Sequence, residues 1–207
     1  MKGIIGKKVG MTSYYNEDGR NVPCTVIEAG PCVVTQIRDE ERDGYSAVQL
    51  GFDEKKEKTT PSALQGHFDK NNVSPRQKIM EFRDFEIDVQ EGGEVKADIF
   101  EAGEPINVVG TTKGKGFQGG MKRHGFSGVG MQTHGQHNDP RSPGSIGGAS
   151  DPSRVYKGLR MAGRTGGKRT KMKNLKIEQV FPDKNLLVIS GGIPGAKGSY
   201  VVIESRG

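Results

Sequence analysis

The sequence predicts a mainly β protein: one small antiparallel barrel or sandwich, closed by strands from both ends of the chain, with a long basic irregular segment between them. Three observations predict it. Residues 111–173 carry 13 Lys/Arg against 2 Asp/Glu, with 15 glycines and only four Val, Ile or Leu. A stretch at +11 with so little apolar content cannot build a core of its own. The flanks differ: residues 1–110 hold 14 basic and 20 acidic groups, and 174–207 hold 4 and 3, so the overall +6 conceals a strongly basic insert. Finally, the flanks alternate apolar and polar residues between Gly/Pro turns, as half-buried strands do.

Taken in order, Met1-Lys2-Gly3-Ile4-Ile5-Gly6-Lys7-Lys8 lacks the apolar run of a secretory signal. No window approaches the ~18 apolar residues of a membrane span. A cytosolic protein is expected. Residues 22–28 read as a strand closed by Ala29-Gly30-Pro31. Residues 32–38 follow as a second strand, then a charged turn through Asp43-Gly44 and a third strand over 45–52. Cys24 and Cys32, eight apart, match no zinc spacing. They read as small residues of adjacent strands in a reduced protein rather than as a disulfide.

Residues 55–85 break the strand pattern. Thr60-Pro61-Ser62 opens a helix with a hydroxyl before a first-turn proline. Ser74-Pro75 and the spacing of Ile79 and Phe82 suggest a further helical turn, so this region reads as a minor helical subdomain. Beyond the insert, residues 175–180 alternate and residues 181–185 turn them back into 186–190. Gly191-Gly192-Ile193-Pro194-Gly195 breaks the chain before residues 200–203. Neither flank holds enough strands alone, so both are expected to close one barrel. The domains are therefore 1–110 with 174–207 as one discontinuous barrel, and 111–173 as a basic extension.

The insert has no usable period. Each glycine costs a helix about 1 kcal/mol relative to alanine, and Pro140, Pro143 and Pro152 add stops. Phe117, Phe126 and Tyr156 punctuate it, unlike a monotonous disordered linker. A segment that becomes ordered on a partner fits best, and a polyphosphate backbone is the leading partner for such charge.

Gly114-Lys115-Gly116-Phe117-Gln118-Gly119 matches a dinucleotide fingerprint literally. However, Gly120, Gly125, Gly128 and Gly130 argue against the required helix, and the region downstream is basic. Residues 110–116 fail as a phosphate loop, lacking one residue between the glycines and a Ser/Thr after the lysine. The glycines instead permit close backbone approach, while Lys113, Lys115, Lys122 and Arg123 supply phosphate contacts. A second basic patch runs through Arg160, Arg164, Lys168, Arg169, Lys171 and Lys173. His124, His134 and His137 are expected to stack on or hydrogen-bond to unpaired bases; solvated loop histidines are the alternative. His134, His137 and Asp139 lack a convincing third metal ligand. Gly144-Ser145-Ile146-Gly147-Gly148 carries its serine in the wrong position for a nucleophile elbow, and no paired carboxylates suggest catalysis.

Several stretches together resemble the bacterial large-subunit ribosomal protein three family. They begin with residues 6–12 (Gly6-Lys7-Lys8-Val9-Gly10-Met11-Thr12), then Gly66-His67-Phe68 and Glu81-Phe82-Arg83. The most distinctive is residues 113–119 with Lys122-Arg123 and Thr133-His134-Gly135. Pro143-Gly144-Ser145-Ile146-Gly147, Lys157-Gly158, Met161-Ala162-Gly163 and Ile193-Pro194-Gly195 complete a resemblance that spans the whole chain in order. It implies a Greek-key antiparallel barrel of the translation-protein type and a Gly/Arg/Lys-rich extension threaded into ribosomal RNA.

The barrel would bind near the 3′ end of the large-subunit rRNA and act early in assembly. The extension would reach toward the peptidyl transferase centre, its tip around residues 138–150. The implied rRNA-binding set is Lys7, Lys8, Lys113, Lys115, Phe117, Lys122, Arg123, His124, His134, His137, Arg141, Ser145, Arg154, Lys157, Arg160, Arg164, Lys168, Arg169 and Lys171. Its partners would be rRNA and neighbouring large-subunit proteins, with no cofactor, metal, membrane or small-molecule substrate. Many family members carry a methylated glutamine after Gly-Ser-Ile-Gly; Gly148 stands there, so no such modification is expected. The rival readings are an RNA-modifying enzyme with a basic lid and a regulatory RNA-binding protein acting off the ribosome.

Overall fold

The computed structural model describes residues 1–16, 18–130, 134–135 and 139–206. The first flank contributes β1 (Gly3–Tyr15), β2 (Asn21–Ala29), β3 (Cys32–Arg38), a single helical turn α1 (Glu40–Asp43) and β4 (Ala47–Glu54). Then follow α2 (Ser62–Asp69), β5 (Arg76–Arg83), β6 (Glu94–Val95) and β7 (Pro105–Thr111). Short elements β8 (Phe117–Gln118), α3 (Gly120–His124) and β9 (Gly163–Arg164) lie in the basic segment. The chain ends with β10 (Arg169–Phe181), β11 (Leu186–Ser190) and β12 (Tyr200–Ser205).

Six strands close an antiparallel barrel in the order β1-β12-β7-β10-β11-β2, three from each flank. Neither flank closes the barrel alone. The register is set by apolar pairs such as Ile4↔Ile203, Val108↔Ile203 and Leu187↔Ile27. Successive strand residues face opposite sides, yet Ile4 and Ile5 are both fully buried. One face of β1 therefore lines the barrel and the other is covered.

The cover is a second sheet, ordered β5-β4-β3-β6. Its Val34, Leu50, Phe52 and Phe82 join the barrel's Ile4, Ile27, Ile106, Ile177, Leu187 and Ile189 in one apolar cluster. Gly3 makes this possible, because a Cβ there would lie 2.2 Å from the Phe82 ring. Burying one such Ile or Leu side chain contributes about 1.5–3 kcal/mol.

Strands at 22–28, 32–38, 45–52, 175–180, 186–190 and 200–203 lie where the alternation puts them, within a residue or two at most ends and with β10 starting six residues earlier. The helix at Thr60-Pro61-Ser62 is α2, whose Phe68 is buried with Val33 and Val73. Residues 76–83 overturn the helical reading of this region: they form β5, paired with β4 from Ala47↔Arg83 to Glu54↔Arg76. Ile79 and Phe82 are three apart, which resembles a helical face. The strand wins because β4 offers a full ladder and Phe82 fits the cover over Gly3.

Cys24 and Cys32 lie in consecutive strands that belong to different sheets, and both are buried and free. Burial raises the Cys24 thiol and pushes that of Cys32 up to about 12. These are inert core residues.

Close packing divides the chain into two units: Met1–Thr112 with Arg169–Gly207, and Lys113–Lys168. Residues 169–173, assigned by charge to the extension, are strand: Arg169 pairs with Thr111 and Lys171 with Val109. A ladder accepts Lys and Arg wherever the side chain faces water, and Arg169, Lys171 and Lys173 are all exposed.

Candidate nucleic-acid interface

The unit formed by residues 113–168 contains 10 Lys/Arg and 2 Asp/Glu. None of its described residues is buried. Its order comes from hydrogen bonds instead of a core. Lys115 N–H donates to Thr165 O at 2.8 Å and Thr165 N–H to Gly116 O at 2.9 Å, beside the two-residue ladder Phe117↔Arg164 and Gln118↔Gly163.

A second tie converges on one carbonyl. Arg123 Nη1 donates to Met161 O at 2.6 Å and His124 Nε2 donates to the same oxygen at 3.0 Å. Both side chains project from α3, which ends at Gly125 in the left-handed conformation. A carbonyl only accepts, so His124 carries its proton on Nε2 here. Further along, Ser142 Oγ accepts from Gly144 N–H and Ser145 Oγ from Gly147 N–H, each at 3.3 Å. These local bonds replace the missing secondary structure.

Lys113, Lys115, Lys122, Arg141, Arg154, Lys157, Arg160 and Arg164 are all exposed. Among the described residues, none of these eight, nor Arg123, pairs with a carboxylate. Phe117 is 76% exposed, and His134, Ser145 and Lys168 also face solvent. His137 lies outside the described residues. Sequence reading gives Tyr156 no role, yet it is 63% exposed with the Arg154 guanidinium 5.8 Å from its ring centre. The signal was present: an aromatic two residues from an arginine in a glycine-rich basic run. Among the described residues no cluster of three or more His, Cys, Asp or Glu could hold a metal.

The basic residues expected in the barrel unit are engaged differently. Lys8 is 7% exposed, and its ammonium donates to Ile193 O at 2.9 Å and Gly195 O at 3.3 Å. It ties β1 to the Gly-rich turn before β12. Lys7 Nζ donates to Asp53 Oδ2 at 3.0 Å, and Tyr200 OH donates to the same oxygen at 2.7 Å. The Tyr200 hydroxyl, then the Lys7 ammonium, hold the Asp53 carboxyl below its ordinary range. Reciprocally, the bond to Asp53 raises Lys7, while burial and then that bond raise Tyr200. Lys171 pairs with Glu204 at 2.5 Å. Arg169 lines a shallow hollow of about 230 Å³ with Lys78 and Tyr200.

A cationic, apolar-studded surface held by backbone bonds suits a ligand with many anions and flat rings. Among the described residues it offers no buried acid–base pair or activated nucleophile. The family model described as "Ribosomal protein L3" matches residues 72–187. The chain is 57% identical over 205 residues to the large ribosomal subunit protein uL3 of Salinibacter ruber (strain DSM 13855 / M31), covering 99% of each chain. It is 52% identical over 207 residues to the large ribosomal subunit protein uL3 of Chlorobium phaeobacteroides (strain BS1), again covering 99% of each.

Proposed function

Since this chain belongs to the ribosomal protein L3 family, we propose that it is a structural, non-enzymatic constituent of the large ribosomal subunit in the cytoplasm. There it binds the large-subunit rRNA and touches neighbouring ribosomal proteins. The observation that carries the reading is the second unit: ten basic groups against two acidic, with no buried side chain among its described residues. Such a segment builds no core among its described residues, and nine of its cations, from Lys113 to Arg164, have no described carboxylate partner and can neutralise phosphates.

The mechanism is counterion release with geometric fit. For each phosphate neutralised, raising the salt tenfold lowers log K by roughly 0.7–0.9. Arginine adds bidentate and stacking contacts that lysine lacks. Lys113, Lys115, Lys122, Arg141, Arg154, Lys157, Arg160, Arg164 and Lys168 supply charge, with Arg169 and Lys171 at the start of β10. Phe117, His134, His137 and Ser145 meet bases or sugars. Arg123 and His124 hold the segment's shape through Met161; Arg123 keeps further guanidinium donors for RNA, and His124 an acceptor at Nδ1. Lys7 contributes through its exposed edge, and Lys8 from inside by fixing the 193–195 turn.

On this reading the two flanks form one Greek-key barrel domain of the translation-protein type, bound near the 3′ end of the large-subunit rRNA from an early stage of assembly. Residues 113–168 form the extension, with residues 138–150 at its tip, directed toward the peptidyl transferase centre. Gly148 has no side-chain amide to methylate, so the intact mass carries no methyl group on this segment.

Sedimentation tests the reading. The chain should travel with large subunits through a moderate salt wash. Recovery at the top of the gradient would favour a regulator acting off the ribosome, and turnover of RNA by the purified chain would favour an enzyme.

A further inference from the structure

We propose that the hollow beside Phe126 is the seat of a single unpaired nucleobase, an inference that rests on the rRNA-binding reading above. The hollow measures about 280 Å³ and is lined by Phe126, Pro143, Ser145, Ile146, Leu159 and Arg160, with the backbone of Gly158. A second hollow of about 330 Å³ shares Phe126 and Pro143 and is also lined by Ser142 and Asp139. Phe126 therefore lines two concavities.

Its ring is anchored. A Cβ at Gly120 would lie 2.8 Å from Phe126 Cδ2, so the ring rests against the backbone of the first turn of α3. The His124 imidazole sits 5.9 Å away, tilted by 37°. That imidazole is itself fixed to Met161 O. An aromatic platform is thus held by glycine contact and a hydrogen-bonded neighbour, with free surface alongside.

No described residue of the unit closes over the apolar walls. Ile146 is 43% exposed and Leu159 42%, in a unit that buries no described residue. A partner with only apolar side chains would satisfy them but not Arg160, which lines the same hollow and pairs with no described carboxylate. A nucleotide answers both needs: its base offers a flat apolar face for Phe126, Ile146 and Leu159, and its phosphate an anion for Arg160. Ser145 Oγ accepts the Gly147 N–H, which leaves its own hydrogen for an acceptor on the base edge.

The test uses large subunits reconstituted with the full chain, as wild type, Phe126→Ala, Phe126→Tyr and Ile146→Trp. Each preparation is assayed for incorporation of the chain by mass spectrometry and for base reactivity toward dimethyl sulfate and a carbodiimide at every rRNA position. One unpaired nucleotide should be shielded by wild type and become about tenfold more reactive with Phe126→Ala, consistent with the loss of one base–aromatic stack. Phe126→Tyr should restore the shielding. Ile146→Trp, which fills the hollow and keeps the ring, should expose the same nucleotide.

If Phe126→Ala fails to incorporate, Ile146→Trp decides alone. Normal incorporation with no nucleotide responding would overturn the seat while leaving the rRNA reading intact, and would point to a protein side chain as the occupant. Failure of wild type to enter the subunit would overturn both.

Discussion

Leu187, Val188 and Ile189 of β11 are buried, whereas Ile146, Val155, Tyr156 and Leu159 of the second unit are between 38% and 63% exposed. The charges divide the same way. In the barrel unit Lys7 meets Asp53, Arg38 meets Asp43 and Glu81, and Lys171 meets Glu204. In the other unit, nine cations from Lys113 to Arg164 have no described carboxylate partner. One region thus carries the complements to its own side chains, and the other presents side chains with no complement among the described residues. On the proposed function, the difference teaches that a single polypeptide can divide its folding information, placing half of a contact set in the molecule it binds.

The largest expected effect sets one core against the lack of another. Ile189→Ala should lower stability by about 2–5 kcal/mol in denaturant unfolding. Ile146→Ala should change it by less than about 0.5 kcal/mol. Equal losses would mean that the second unit has a core after all.

A smaller effect separates two kinds of lysine. Lys8→Met leaves the carbonyls of Ile193 and Gly195 without their donor, at a cost of about 1–3 kcal/mol, and should leave the salt dependence of RNA binding unchanged. Arg154→Ala and Lys157→Ala should do the opposite. Stability should hold, while the slope of log K against log salt for an rRNA fragment falls by about 0.7–0.9 for each residue removed. Exchanged outcomes would dissolve the distinction.

The smallest effect is acid sensitivity. Tyr200 and Lys7 lower the Asp53 carboxyl, so folding favours its ionised form. That stabilisation is present above the ordinary carboxylate range near pH ~4 and is lost as pH falls through the folded value. Asp53→Asn should lose stability at neutral pH and show a shallower decline below pH ~4 in urea midpoints. Asparagine tolerates the left-handed backbone at Asp53, φ 60°, so the variant reports the charge and not strain. An unaltered acid limb would count against the Lys7–Asp53–Tyr200 link.

Much of this division is readable from the chain. Val33, Leu187 and Val202 sit in plain alternation or apolar runs between turn residues, and the basic, glycine-rich composition of 113–168 marks a segment without a core. Other parts are not. β1 hides because Gly3, Gly6, Lys7, Lys8 and Gly10 interrupt its apolar pattern, and two of these glycines are required by what packs on them, Phe82 on Gly3 and Ile27 on Gly6. β5 hides because three-residue spacing of Ile79 and Phe82 suits either a helix or a strand, and only the β4 ladder decides. The convergence of Arg123 and His124 on Met161 O spans 37 or 38 residues with no period to announce it. Lys8 falls in the implied rRNA-binding set because nothing local signals that a turn 185 residues away will enclose it.

The central claim is that residues 113–168 take their lasting order from RNA while the barrel makes its own. Amide hydrogen exchange on the free chain and on the chain within assembled large subunits tests it most directly. Exchange should be slow in β2, β7, β11 and β12 in both states. Across 113–168 it should be rapid in the free chain and become slow in the subunit. Barrel-like protection of 113–168 in the free chain, or no gain on assembly, would contradict it.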